Sequence, residues 1–214
     1  MPRTYDMTLR ARRAAETTER IVVATERLLA TGAASEATLR AIADATGVTQ
    51  QTVLRHMGSR EGCFRATAER VAERVREQRE RVRPGDVPGA IATLIAHYEE
   101  EGRLVLNLLA QEQGEDPFPR DAAAEGRAYH RAWVERILLP AAADTDGDGT
   151  RGEAARTGRA RRNAERDRTD ALVAATDLYL WKVLRLDLGR SVAETEAVVL
   201  RLVRSVLAAE GATA

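Results

Sequence analysis

Apolar positions recur along this chain at spacings of three and four residues, the periodicity of amphipathic helices. The first clear run begins at Thr17 or Thr18, whose hydroxyls suit an N-cap, with Glu19 in the first turn. Ile21, Thr25, Leu28 and Leu29 then share one face, and Gly32 supplies a stop. A short helix is predicted over 39–46 with Thr38 as its cap, followed by a turn at Gly47 and Val48. A second short helix opens at Thr49 and runs to 57, where Gly58 and Ser59 break it. A long helix is predicted over 61–82, with Phe64, Ala68, Val71 and Val75 at helical spacing. Pro84, Gly85 and Asp86 end it.

Further patterns predict helices over 87–98 and 104–113, then a breaker at 116–119. Asp121 is positioned to cap the next helix, which passes Tyr129, Trp133 and Ile137 and stops before Pro140. Residues 141–168 carry almost no large apolar side chain and read as a flexible or partly helical connector. Two helices close the chain, over 169–188 and 192–209, separated by Gly189, Arg190 and Ser191. Residues 1–13 are basic and aperiodic, and read as a mobile arm. No alternating strand pattern occurs, so the expected class is all-α with about nine helices. Residues 1–60 form the expected N-terminal domain and residues 61–214 a second helical one.

The informative stretch is 38–64. A helix-turn-helix needs a small residue where its helices cross, a glycine in the turn and apolar anchors beneath both helices. Ala43 suits the close contact, Gly47 the turn, and Leu39, Ile42, Val48 and Val53 the underside. That spacing leaves Thr49, Gln50, Gln51, Thr52, Arg55 and His56 on the remaining faces of the second helix. Short polar side chains at such a helix reach base edges in the major groove, where Gln bonds adenine bidentately.

Composition adds little to this picture, and charge adds something local. Hydrophobic residues make up 44% of the 214, charged residues 31% and aromatics 4%, which suits a helix-rich globular protein. With 33 basic and 33 acidic side chains the net charge is zero, so any nucleic-acid surface has to be a patch. Between Asp44 and Glu61 there is no carboxylate, while Arg55, His56 and Arg60 fall in the same window. A surface that approaches phosphate is expected to exclude acids. Cys63 is the only cysteine, no apolar run of about 18 residues occurs, and the first residues lack a signal-peptide block. These point to a cytoplasmic protein with no membrane partner.

Residues 38–64 resemble the tetracycline-repressor-like (TetR/AcrR) regulators, and the resemblance extends over nearly the whole chain. That family's run is a small-residue helix, a Gly-Val turn, a polar recognition helix, then Tyr-x-His-Phe, two small residues and Lys-Glu. Here the end of the run reads Leu54, Arg55, His56, Met57, Gly58, Ser59, Arg60, Glu61. His56 and Glu61 are retained, Arg60 replaces Lys, Met57 replaces Phe, and Leu54 stands where the family's Tyr contacts the DNA backbone. The resemblance implies a DNA interface at Thr38, Arg40, Thr49, Gln51, Thr52, His56 and Arg60. We assign Thr38, His56 and Arg60 mainly to phosphates, Gln50, Gln51 and Thr52 to bases, and Arg55 to the place left by Tyr. It also implies a ligand-responsive regulator, a repressor more than an activator, bound as a homodimer to a palindromic double-stranded operator.

The closing helices are apolar over more than one stripe, so a second face must be covered. Leu180, Val183, Leu184, Val199, Leu202, Val203 and Val206 are the expected dimer interface, and the resemblance places a four-helix bundle there. It further implies an effector pocket for an unidentified small molecule among the central helices. The polar and aromatic residues available there are His97, Tyr98, Asn107, Gln111, Tyr129, His130, Trp133 and Tyr179. The run Asp144, Asp146, Asp148, Gly149 resembles a calcium loop, yet the twelfth position is Ala155 where a bidentate Glu is required. The histidines are scattered and no phosphate loop or nucleophile elbow occurs, so no metal, cofactor or enzymatic activity is expected.

Overall fold

A computed structural model describes residues 3–139 and 151–209. Every regular element in them is helical: α1 (Arg3–Thr31), α2 (Leu39–Thr46), α3 (Gln50–Met57), α4 (Arg60–Glu80), α5 (Val87–Leu109), α6 (Phe118–Leu138), α7 (Arg151–Ala175), α8 (Leu178–Lys182) and α9 (Val192–Ala208). A short 3-10 turn, Ala34–Glu36, precedes α2, and α8 continues as a π-helical turn, Val183–Asp187.

Several expectations are corrected. The arm over 1–13 is helical from Arg3, because Arg, Met, Leu and Ala favour helix without any apolar stripe. Thr17 therefore does not cap a helix; its hydroxyl donates back to the Arg13 carbonyl one turn earlier, at 2.9 Å. The segments 87–98 and 104–113 are one helix that stops at Leu109, since the acidic, glycine-containing stretch between them keeps its backbone bonds. Asp116, not Asp121, serves the start of α6, accepting from the Phe118 amide at 3.0 Å. The connector over 141–168, expected to be flexible or partly helical, is helical from Arg151, in keeping with the second of these alternatives. The helix expected over 169–188 is broken at Thr176, and Asp177 restarts it by accepting from the Tyr179 amide at 2.7 Å. The calcium-like run at 144–149 lies outside the described residues.

The chain divides into two compact units, Met1–Val75 with Glu100–Ala124, and Arg76–Glu99 with Glu125–Ala214. In the first, Ile21, Leu29, Ile42, Ala43, Val53, Cys63, Phe64, Val71 and Leu104 form one buried cluster. Around it, Arg74 bridges Glu26 of α1, at 2.9 Å, and Glu101 of α5. Burial raises the Glu101 carboxyl above its ordinary range, against the opposing pull of Arg74. Asn107 closes the end of α1: its Nδ2 donates to the carbonyls of Leu29 at 2.6 Å and Gly32 at 2.8 Å. Terminal helix carbonyls otherwise go unsatisfied.

The second unit buries Ile91, Leu94, Ile95, Trp133, Val134, Ile137, Leu172, Val199 and Val203. Within it runs a polar chain. Arg79 Nη1 meets His130 Nδ1 at 3.1 Å, His130 Nε2 meets Thr176 Oγ1 at 3.0 Å, and Thr176 Oγ1 donates to the Leu172 carbonyl at 2.7 Å. Arginine has only donors to offer, so His130 Nδ1 accepts and Nε2 carries the proton. Burial, with the charge of Arg79 added, pushes the His130 imidazole down from 6.5 to about 3.

Two outcomes test these assignments. Asn107→Ala should lower stability by about 1–3 kcal/mol in urea unfolding, because it strands acceptors at the end of α1; an unchanged midpoint would remove Asn107 from this role. Acidification tests His130. Above about pH 6.5 its imidazole is neutral in both folded and unfolded chains and contributes no pH dependence. Between there and about pH 3 the unfolded chain takes a proton that the folded one refuses, so stability falls as pH falls. The contribution is about 1.4 kcal/mol per pH unit for one proton. His130→Asn should flatten the acid slope by that amount, and an identical slope would mean that the folded imidazole does charge.

Candidate nucleic-acid interface

The helix-turn-helix forms from local signals that reinforce each other. Thr38 Oγ1 accepts from the Ala41 amide at 3.1 Å and caps α2. Gly47 ends α2 at φ 68°, ψ 28°, the left-handed region where a Cβ costs about 1–2 kcal/mol. Thr49 Oγ1 then accepts from the Thr52 amide at 3.2 Å and opens α3. Ile42, Ala43 and Val53 are buried beneath the two helices, as their spacing predicts.

The burial of Val53 fixes which face of α3 is outward. Gln50, Gln51 and Arg55 are exposed, with no acidic residue in α3. The hydroxyls of Thr49 and Thr52 lie 3.0 Å apart, so each already has a partner. Thr38 is exposed at the start of α2, while Arg40 is exposed beside Asp44 at 3.7 Å. A pair this open to water contributes little and leaves the guanidinium free to exchange partners.

Two expected phosphate ligands are differently engaged. His56 Nδ1 is 3.0 Å from the Thr18 hydroxyl, which pins α3 to α1. Arg60 is turned inward: Nε donates to the Ala37 carbonyl at 3.0 Å, Nη2 to the Ala34 carbonyl, and the guanidinium lies 4.3 Å from the Phe64 ring centre. The expectation that Arg60 chiefly meets phosphate is thus corrected, because the turn before α2 presents it with carbonyls. Sequence reasoning missed Arg10, Arg13 and Thr17 of α1, which line a cleft with Arg55 and His56. The spacing of 10, 13, 14 and 17 marks one helix face, a signal hidden by reading the segment as an arm.

The expected effector residues separate. Asn107 is occupied at the end of α1, and Gln111 lies in the turn after α5; both belong to the first unit. Tyr179 is 54% exposed, so the described residues do not enclose it. His97, Tyr98, His130 and Trp133 are buried in the second unit, with Tyr129 half-buried. The Tyr98 hydroxyl donates to the Thr176 carbonyl at 2.9 Å, and burial pushes it up to about 12. Trp133 Nε1 donates to the Arg79 carbonyl at 3.3 Å. Arg79, only 3% exposed, lies 5.0 Å from the Trp133 ring centre and 5.7 Å from that of Tyr129. Its Nε and the Tyr129 hydroxyl are buried without a hydrogen-bond partner, and among the described residues no carboxylate pairs with its charge.

The expected dimer residues also divide. Leu184, Val199 and Val203 are buried within their own unit, a correction that follows from α8 and α9 each turning one apolar face inward. Leu180 and Val206 are half-buried. Val183 and Leu202 are exposed, joined by Tyr179, Leu188 and Val192. Among the described residues no helix is long and apolar enough to cross a membrane, and no group of three His, Cys, Asp or Glu side chains is placed to hold a metal.

Comparison with known proteins agrees with this architecture. Residues 21–67 match the family model described as bacterial regulatory proteins, tetR family. No curated protein matches the sequence. A transcriptional regulator from Rhodococcus sp. Rha1, known from a crystal structure, has a similar fold, with a TM-score of 0.65 over 90% of this chain and 96% of its own, at 17% identity. Its matched residues 21–67 make the N-terminal end of this all-helical chain similar to the reading domain of the tetR family of bacterial regulatory proteins.

Proposed function

We infer that this regulator represses transcription by binding a palindromic operator as a homodimer, and that a small-molecule effector releases it. The observation that carries this reading is the outward face of α3, where Gln50, Gln51 and Arg55 stand exposed on an acid-free helix whose opposite side is anchored by Val53. Gln50 and Gln51 read bases, and Arg55 meets the backbone that the family's Tyr would otherwise contact. Thr38, Arg40, Thr49, Thr52 and His56 hold register, mostly by fixing helix ends.

The exposed apolar residues Tyr179, Val183, Leu188, Val192 and Leu202 support pairing with a second copy. A two-fold pair presents two reading helices to an inverted repeat. Arg79 supports an effector that carries an anionic group. A buried cation is costly without an opposite charge, and a carboxylate beside Arg79 Nε and the Tyr129 hydroxyl would satisfy both. Helix α4 carries residues of both units, so it is the segment on which the two binding events act. By linkage, whatever factor the effector takes from DNA affinity, DNA takes from effector affinity.

Selection of bound duplexes from a random pool tests the central reading: an inverted repeat is expected, and a single asymmetric site or no enrichment would overturn it. Against the selected site, Gln51→Ala should relax preference at one base position per half-site by about 1–3 kcal/mol, leaving other positions alone. The effector class is tested by melting the protein with benzoate, phenylacetate or hexanoate and with the matching amides. One or more acids should raise the melting temperature where its amide does not; equal responses, or none, count against an anionic effector.

A further inference from the structure

The π-helical turn that follows α8 departs from the ordinary helical repeat just where apolar side chains stand exposed. The Leu188 amide donates to the Val183 carbonyl at 2.9 Å, five residues back instead of four. Two side-chain contacts keep the same count of five. Lys182 Nζ lies 2.9 and 2.8 Å from the two carboxylate oxygens of Asp187, and Arg185 Nη1 donates to the Arg190 carbonyl. In a regular α-helix a residue five positions on lies about 140° round the axis, well away from such a partner. Bonding across five residues instead stacks it one turn above. Tyr179 and Val183, four apart, share one side of α8, and the turn brings Leu188 round to that side. All three are exposed. Continued as α-helix, the same sequence would carry Leu188 out of line.

Turns of this kind are rare and gather at functional places. This one is anchored from α5. Glu99 Oε1 accepts from Arg185 Nε at 2.7 Å and Oε2 from Nη2 at 2.8 Å, a two-pronged pairing that fixes the guanidinium in direction as well as distance. The same Oε1 accepts from the indole N–H of buried Trp181 at 2.7 Å. Glu99 thus holds the residue ahead of the turn and one inside it, while Arg185 reaches on to the chain that leaves it. All of these residues belong to the second unit. We propose that Glu99 is a positioning residue for self-association: through Arg185 it holds the π-helical turn that aligns Leu188 with Tyr179 and Val183, the stripe a second copy of this chain covers. The proposal rests on the homodimer reading and adds to it the residue that sets the register of the pair. The charges beside the stripe favour a second copy as its occupant. Across a two-fold axis a patch meets itself, so an unbalanced charge would repel its own image. Here Lys182 is matched by Asp187, and Arg190 by Glu194 at 3.3 Å. A strongly acidic or basic partner would find no net charge in these pairs to meet.

Sedimentation equilibrium of the full-length chain, which reads the dimer dissociation constant, tests this. Val183→Ala and Leu188→Ala should each raise the constant about tenfold, as truncation of a covered interface residue does. Glu99→Ala should raise it as well. In the Glu99→Ala background Leu188→Ala should then add little, while Val183→Ala, ahead of the turn, keeps its full effect; such non-additivity reports coupling between residues. A general loss of stability would weaken the dimer without singling out Leu188. Arg185→Ala should reproduce Glu99→Ala, and it carries the test if circular dichroism shows that Glu99→Ala does not fold. Leu188→Ala with no effect on the wild-type dimer, or effects of Glu99→Ala and Leu188→Ala that simply multiply, overturns the proposal and leaves the homodimer standing. A wild-type chain that stays monomeric at every concentration overturns both.

Discussion

A helix of eight residues does not hold together alone in water, yet α3 is that short and is the part of the molecule that must keep its shape. Its persistence depends on Val53, fully buried, on the Thr49 cap at one end, and on the Thr18 to His56 bond near the other. Each of these acts on a different side of the helix. Together they leave only the Gln50, Gln51 and Arg55 face without a protein partner to hold it. The reader is therefore a surface defined by subtraction, exposed because every other direction is already committed.

The same division of labour explains Arg60. A cation next to the reading helix is an obvious phosphate ligand on charge alone. In the fold it is tied to two carbonyls, holding α4 against the turn before α2. Asn107 is a parallel case, a polar side chain on an apolar face that finishes the end of α1. Both residues look available in sequence because their partners are backbone atoms, which carry no residue-specific mark.

Legibility in the sequence follows the physics of each segment. Helices α2 and α3 were readable almost to the residue because hydroxyl caps and Gly47 mark their ends and Ile42, Ala43 and Val53 mark their inner face. The start of α1 and the first half of α7 were not, because Arg, Ala and Glu form helix by propensity with no apolar stripe to announce it. The break at Thr176 was hidden for the opposite reason: apolar periodicity runs straight through it from Leu172 to Leu184. Inner and outer faces of α8 and α9 were also merged in sequence, since Val203 and Leu202 differ in burial and hardly in chemistry. The basic cleft escaped because it joins residues some forty positions apart.

Cys63 has a consequence of its own. Its sulfur is fully buried in the same cluster as Val53, bonded to the Ser59 carbonyl at 3.4 Å, and burial pushes the thiol up to about 11. At neutral pH almost no thiolate exists there, and oxidants and alkylating agents act on the thiolate. The thiol of the reading unit is thus chemically quiet while the unit stays packed. This thiol becomes reactive only in the moments when the packing behind the reader comes apart, which makes it a built-in timer of that opening.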